Sequence, residues 1–189
     1  MSVQPVNNKK KLFTIQTLTF MAMFAAILCI SAYISIPVPL PGSPHITLLN
    51  FIVLLIALLF PAHQAFLTIL VWMLLGIIGV PVFIGGNAGF GYLLTGWGGY
   101  TLAFLLAAVI IPLIRGPKYN RLRYTFSAIT GVLIINIFGM VYLKSMTGIT
   151  WEVALLTGFA SFLPLDILKA VVAAQIVPNF KRVLQHNKT

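Results

Sequence analysis

Leu163-Pro164-Leu165-Asp166-Ile167-Leu168-Lys169-Ala170-Val171-Val172-Ala173-Ala174 decides how the chain is read. The segment is as apolar as a membrane span, yet it carries Asp166 and, three residues later, Lys169. Ionisable side chains are costly inside a bilayer and mark function where they persist. Residues three apart on a helix share a face, so the two charges make one polar spot. Only one other acid, Glu152, occurs in 189 residues.

The surroundings of that spot are oily. The chain is 60% hydrophobic and 7% charged, with a mean hydropathy of +1.04. Soluble domains carry about a quarter charged residues, and this composition would leave broad apolar patches in water. The expectation is an all-α polytopic membrane protein, one domain over residues 1–189.

The net charge of +10 is explained by position. Lys9, Lys10 and Lys11 precede the first apolar run, and Arg115, Lys118, Arg121 and Arg123 crowd one connection. Lys181, Arg182 and Lys188 end the chain, and only Lys144 lies in a connection of the other set. Basic residues gather in cytoplasmic loops, so six helices with both termini inside fit this pattern. No basic stretch is interleaved with aromatics as in single-strand binders, and no nucleic-acid partner is expected.

The apolar runs place the six spans at about 12–34, 46–60, 62–79, 92–113, 124–142 and 164–180. Between the first two lies Ile36-Pro37-Val38-Pro39-Leu40-Pro41-Gly42-Ser43-Pro44-His45, whose prolines forbid a helix. It is expected to form an outer lid loop over 36–45. The Gly-rich segment over 80–92, with Gly85, Gly86, Gly89 and Gly91, should be irregular, which membranes tolerate only against protein or a cavity. Gly158 and Pro164 are expected to break the last span from a short helix at 151–156, with Pro164 at its first position. A single kinked helix over 151–180 is the other reading of that stretch.

Three irregular segments thus meet at the outer face, as around a pocket. Asp166 would accept N–H donors there, and Lys169 would donate to a carbonyl or carboxylate. Asn87 offers a donor and an acceptor, or serves simply as a turn residue. Tyr92, Trp97 and Tyr100 suit either an interfacial belt or the wall of a flat organic ligand. Ala22, Ala25 and Ala26, with Cys29, give the first helix a small-residue face, for packing within the bundle or docking to a membrane partner.

Chemistry beyond binding finds little support. No phosphate-binding G-x-x-x-x-G-K-[ST] and no H-E-x-x-H motif occurs. His45 and His63 have no ligand neighbour at helical spacing, so no metal or cofactor is expected. One cysteine cannot form an intramolecular disulfide. An acid and a base without a nucleophile suit a binding protein, not an enzyme.

The chain resembles the biotin-binding S components of energy-coupling factor (ECF) transporters, the BioY family. The resemblance runs from the first span to the last. It rests on Ile36-Pro37-Val38-Pro39, on Leu75-Gly76-Ile77-Ile78-Gly79-Val80-Pro81-Val82-Phe83 with Gly85-Gly86-Asn87-Ala88-Gly89, on Gly98-Gly99-Tyr100, and on Asp166-Ile167-Leu168-Lys169-Ala170. Two departures are Gly96-Trp97 where the family commonly reads Pro-Thr, and Leu49 where it often has Gln. The resemblance implies a six-helix S-component fold in the bacterial cell membrane, working with a transmembrane coupling protein and two cytoplasmic ATPases. It further implies biotin held by its ureido ring, with Asp166 accepting an N–H and Lys169 and Asn87 donating to the carbonyl. Tyr92 and Tyr100 would pack the apolar parts, with the carboxylate directed outward near Ser43. Helix 1, through Ala22, Ala25 and Ala26, would be the docking surface. The alternatives are an S component for another vitamin and a proton-coupled carrier relaying through Asp166.

Overall fold

The computed structural model describes residues 14–37 and 45–186, the last four by backbone alone. Ser43, most of the proline loop (38–44), Lys9, Lys10, Lys11 and Lys188 lie outside the described residues.

Local chemistry sets the helix ends. The Thr14 hydroxyl accepts the Thr17 N–H at 3.2 Å and opens α1 (Ile15–Ser31). Two short strands follow, β1 (Ser35–Pro37) and β2 (His45–Thr47), paired antiparallel with Ile36 opposite Ile46. Helix α2 (Leu49–Leu59) turns at Pro61 into α3 (Ala62–Ile77). A 3-10 turn (Ile84–Gly86) and a single-turn helix α4 (Phe90–Leu93) lead to α5 (Gly98–Arg115). Asn120 caps α6 (Arg121–Thr147) by accepting the Arg123 N–H at 3.1 Å, and Gly148 ends it in the left-handed region at φ 69°. Helix α7 (Trp151–Leu155), a π turn (Leu156–Ala160) and α8 (Leu163–His186) complete the chain.

Several bounds differ from the sequence expectation for physical reasons. The first helix stops at Ser31, short of 34, because Ile34 accepts the Leu48 N–H at 3.1 Å and extends the hairpin. Residues 46–47, expected in the second helix, belong to β2. The helix expected over 92–113 is two, because Gly98 packs against the Leu93 carbonyl where no Cβ would fit. Helix α6 overruns 124–142 at both ends, to its two caps. The break expected at 157–161 is a π turn within an almost continuous helical segment, closer to the kinked-helix alternative.

Helix α2 is the axis of the bundle. Every residue from Ile52 to Leu59 is buried, against α5, α8 and α1. A helix that is apolar all round belongs inside. Helices α5 and α6 make the tightest pair. A Cβ on Gly99 would stand 2.3 Å from Tyr142, and one on Gly139 would stand 2.3 Å from the Tyr100 ring. Small residues let membrane helices approach this closely. The outward face stays greasy: Ile15 is 86% exposed and Leu122 81%. Three helical stretches, Gly98–Arg115, Arg121–Thr147 and Trp151–Arg182, are long and apolar enough to cross a membrane, and α1, α2 and α3 are shorter apolar helices. This is a helical membrane protein.

Candidate functional site

Four elements are drawn together at the end of the bundle where α2, α5 and α8 begin. The segment after α3 reaches it by folding back. Gly76 leaves the space that the Phe83 ring fills, since a Cβ there would fall 2.2 Å from the ring. Buried Trp72 donates its Nε1–H to the Val82 carbonyl at 3.1 Å and meets Phe83 edge-on. The Gly85 N–H then bonds Ala32 at the end of α1, at 3.1 Å. The Gly-rich stretch is thereby stitched between α3 and the hairpin.

Asp166 lies in the first turn of α8 and is 2% exposed. Its carboxylate is held by three donors. Lys169 Nζ meets Oδ1 at 3.0 Å. The amides of Asn50 and Asn136 donate to Oδ2 at 3.1 and 3.3 Å. A carboxylate accepts only, so both amides must turn their NH2 groups toward it. Asn136 therefore aims its Oδ1 elsewhere, and that buried oxygen has no hydrogen-bond partner. A buried polar atom left bare in a native fold asks for an explanation. Asn136 is also among the residues around a cavity of about 200 Å³, whose wall includes Asp166, Asn50, Thr47 and His45.

Aromatic rings close the other side of that cavity. Trp97, Tyr100 and Phe162 pack as a triad, with centroids 5.7, 5.9 and 6.2 Å apart. Tyr92 stacks on Phe83 at 4.9 Å. The Tyr100 hydroxyl donates to the Gly158 carbonyl, a group in the π turn, where the backbone ladder is out of step. The phenol is thus committed to structure, and its ring face is what remains for the cavity.

Of the residues singled out in the sequence, Asp166, Asn87, Tyr92 and Tyr100 all line this cavity. Lys169 stands behind the carboxylate, outside the cavity's lining, and its ammonium also bonds the Thr47 carbonyl of β2 at 2.9 Å. The Asn87 amide donates to the Ile84 carbonyl at 2.7 Å, closing its own turn. The sequence alone does not mark Asn50, Asn136, Thr47 or His45 as site residues, yet all four line the cavity. An amide within an apolar run, as in Ile134-Ile135-Asn136-Ile137, was the available signal. The alanines of α1 divide: Ala22 and Ala26 are exposed one turn apart, whereas Ala25 faces the core. Among the described residues no group of histidine, cysteine or acid could hold a metal ion.

Comparison with known proteins places the chain in a family. Residues 6–186 match the BioY family. The chain is 34% identical over 171 residues to biotin transporter BioY2 of Lactococcus lactis subsp. cremoris, covering 90% of this chain and 92% of that one. It is 33% identical over 161 residues to biotin transporter BioY of Thermotoga maritima, covering 85% and 93%. The crystal structure of the S-component for biotin from an ECF-type ABC transporter superposes with a TM-score of 0.81 over 96% of this chain and 95% of that one. At 24% identity that likeness establishes the shared fold. With a family match spanning nearly all its residues and relatives a third identical over most of their length, this protein belongs to the BioY family.

Proposed function

We propose that the chain is the biotin-capturing subunit of an ECF-type vitamin importer. The observation that carries this reading is the bare Asn136 Oδ1 beside the Asp166 carboxylate. A ureido ring offers two N–H donors flanking one carbonyl. Asp166 and Asn136 Oδ1 supply the two acceptors, and Asn50 is placed to give an N–H to the carbonyl once it lets go of Asp166. Asn87, on the same wall, is a second donor for that carbonyl. Tyr92, Tyr100 and Trp97 take the apolar ring and chain. The ligand's carboxylate faces outward on this reading, toward the side of the cavity that His45 lines; Ser43, its expected neighbour, lies outside the described residues. Lys169 acts from behind, holding the Asp166 carboxylate in place while tying β2 to the site.

The same reading covers topology and partners. Six crossings with both termini inside put Arg115, Lys118, Arg121, Arg123, Lys181 and Arg182 on the cytoplasmic side of a bacterial plasma membrane. A transmembrane coupling protein and two ATPases provide the energy, and the exposed pair Ala22 and Ala26 is the surface for close helix docking. Mass spectrometry of the small molecule that co-purifies with the protein tests the ligand directly. Biotin is expected, and another vitamin at full occupancy overturns the assignment. Uptake into liposomes by this chain alone, driven by a pH gradient, would instead make it a secondary carrier. Ala22→Trp should leave biotin binding intact and block assembly with the coupling protein; unimpaired assembly would mean that α1 docks nothing.

A further inference from the structure

The opposite end of the bundle holds a second polar cluster with the reverse charge. Arg115 ends α5 and is buried. Its guanidinium reaches the last carbonyls of α2, with Nε on Ala57 at 3.2 Å and Nη2 on Phe60 at 2.7 Å. Nη1 donates to the Tyr124 hydroxyl at 2.9 Å. Lys181 of α8 donates to the same hydroxyl at 2.6 Å, its ammonium 4.8 Å from the ring centroid. Arg123 closes in from the other side, where its guanidinium carbon is 3.1 Å from the position a Cβ on Gly116 would take.

No side chain neutralises these cations. The chain's only acidic side chains are Glu152 and Asp166, in α7 and the first turn of α8, at the cavity end. The C-termini of α2 and α5 contribute roughly half a negative charge each, which offsets about one of the three cations. Both Arg115 and Lys181 open onto a groove of about 510 Å³. The rest of its wall is apolar, including Pro61, Pro112 and Leu113, and Leu113 is 67% exposed toward the surroundings of the bundle. Cations at the end of a bundle beside an apolar side wall match an amphiphile with an anionic head. A free anion would gain nothing from that wall.

We propose that this groove binds the phosphate of an anionic phospholipid, with Arg115 and Lys181 as its charged contacts and Leu113 beside an acyl chain. Basic pockets between helices at the membrane edge recognise lipid headgroups in this way. The test is native mass spectrometry of the purified protein titrated with phosphatidylglycerol or with phosphatidylcholine of the same chains. Phosphatidylglycerol should be retained about tenfold better. Lys181→Gln should remove that preference while biotin binding at the other end stays unchanged, which certifies folding. Lys118→Gln, at an exposed lysine of the same connection, should retain the preference. Equal retention of the two lipids overturns the proposal, as does a Lys118→Gln effect as large as that of Lys181→Gln. Displacement of phosphatidylglycerol by millimolar inorganic phosphate would assign the groove to the free anion and overturn the lipid.

Discussion

At one end of the bundle a single carboxylate is surrounded by donors. At the other, two cations converge on one phenol. Asp166 receives Lys169, Asn50 and Asn136, so its charge is cancelled within the fold, and the buried polar atoms left over on the residues around the cavity are Asn136 Oδ1, an acceptor, and the Tyr92 hydroxyl. Arg115 and Lys181 share the neutral Tyr124 hydroxyl, so their hydrogen bonds are largely met but their charge is not. Hydrogen-bond satisfaction and charge neutralisation are separate accounts. An end that closes the second and leaves the first open suits a neutral, donor-bearing group such as a ureido ring. An end that does the reverse suits an anion.

The sharpest way to break the comparison is Asp166→Asn. Lys169 would lose its anion, and removing one partner of a buried pair costs about 3–5 kcal/mol. The fold should be destabilised by that amount, and biotin affinity measured by titration calorimetry should fall about a hundredfold, because a charged acceptor for a ureido N–H is lost. Asn136→Ala removes the bare acceptor and one donor to Asp166; a loss of roughly tenfold to a hundredfold is expected, and wild-type affinity would exclude that oxygen from the site. Lys169→Met keeps the stem and deletes the ammonium. About a tenfold weakening is expected, together with faster amide exchange at Ser35, Ile36 and His45–Thr47, because Thr47 loses its tie. Arg115→Lys should do least to the ligand, within about twofold. It should nonetheless lower the melting temperature by several degrees, since an ammonium cannot reach Ala57, Phe60 and Tyr124 together.

How much of this was legible in the chain differs between the two ends. Asp166 and Lys169 stood out because charge is rare in an apolar run, and their i,i+3 spacing already implied contact. The gathering of Asn87, Tyr92 and Tyr100 near them followed from the irregular Gly-rich segment. The roles of Asn50 and Asn136 were not legible, because each sits alone in its own apolar helix. Only the packing of α2, α6 and α8 brings them to one oxygen. Lys169 was expected to face the ligand, but its length lets it span Asp166 and Thr47 at once. Arg115 and Lys181 were read as topology signals. Nothing local distinguishes them from Lys118, which is exposed, until α8 packs on α6 and brings Lys181 to the Tyr124 hydroxyl that Arg115 also meets. The π turn likewise depends on a contact across the bundle, from Tyr100 to Gly158, whereas the helix split rests on the local approach of Gly98 to Leu93.

Helix α2 also bears on how the protein is made. Its eleven residues extend roughly 16 Å, about half the hydrocarbon thickness of a bilayer. Alone it could not hold a stable position across lipid. It must enter with α3 as a hairpin around Pro61, or wait until later helices arrive to shield it. Since α5 and α8 supply most of its cover, the axis of the bundle is finished only after nearly the whole chain has been synthesised. A truncation within α8 should therefore expose α2 to membrane quality control, a failure of biogenesis that no ligand could rescue.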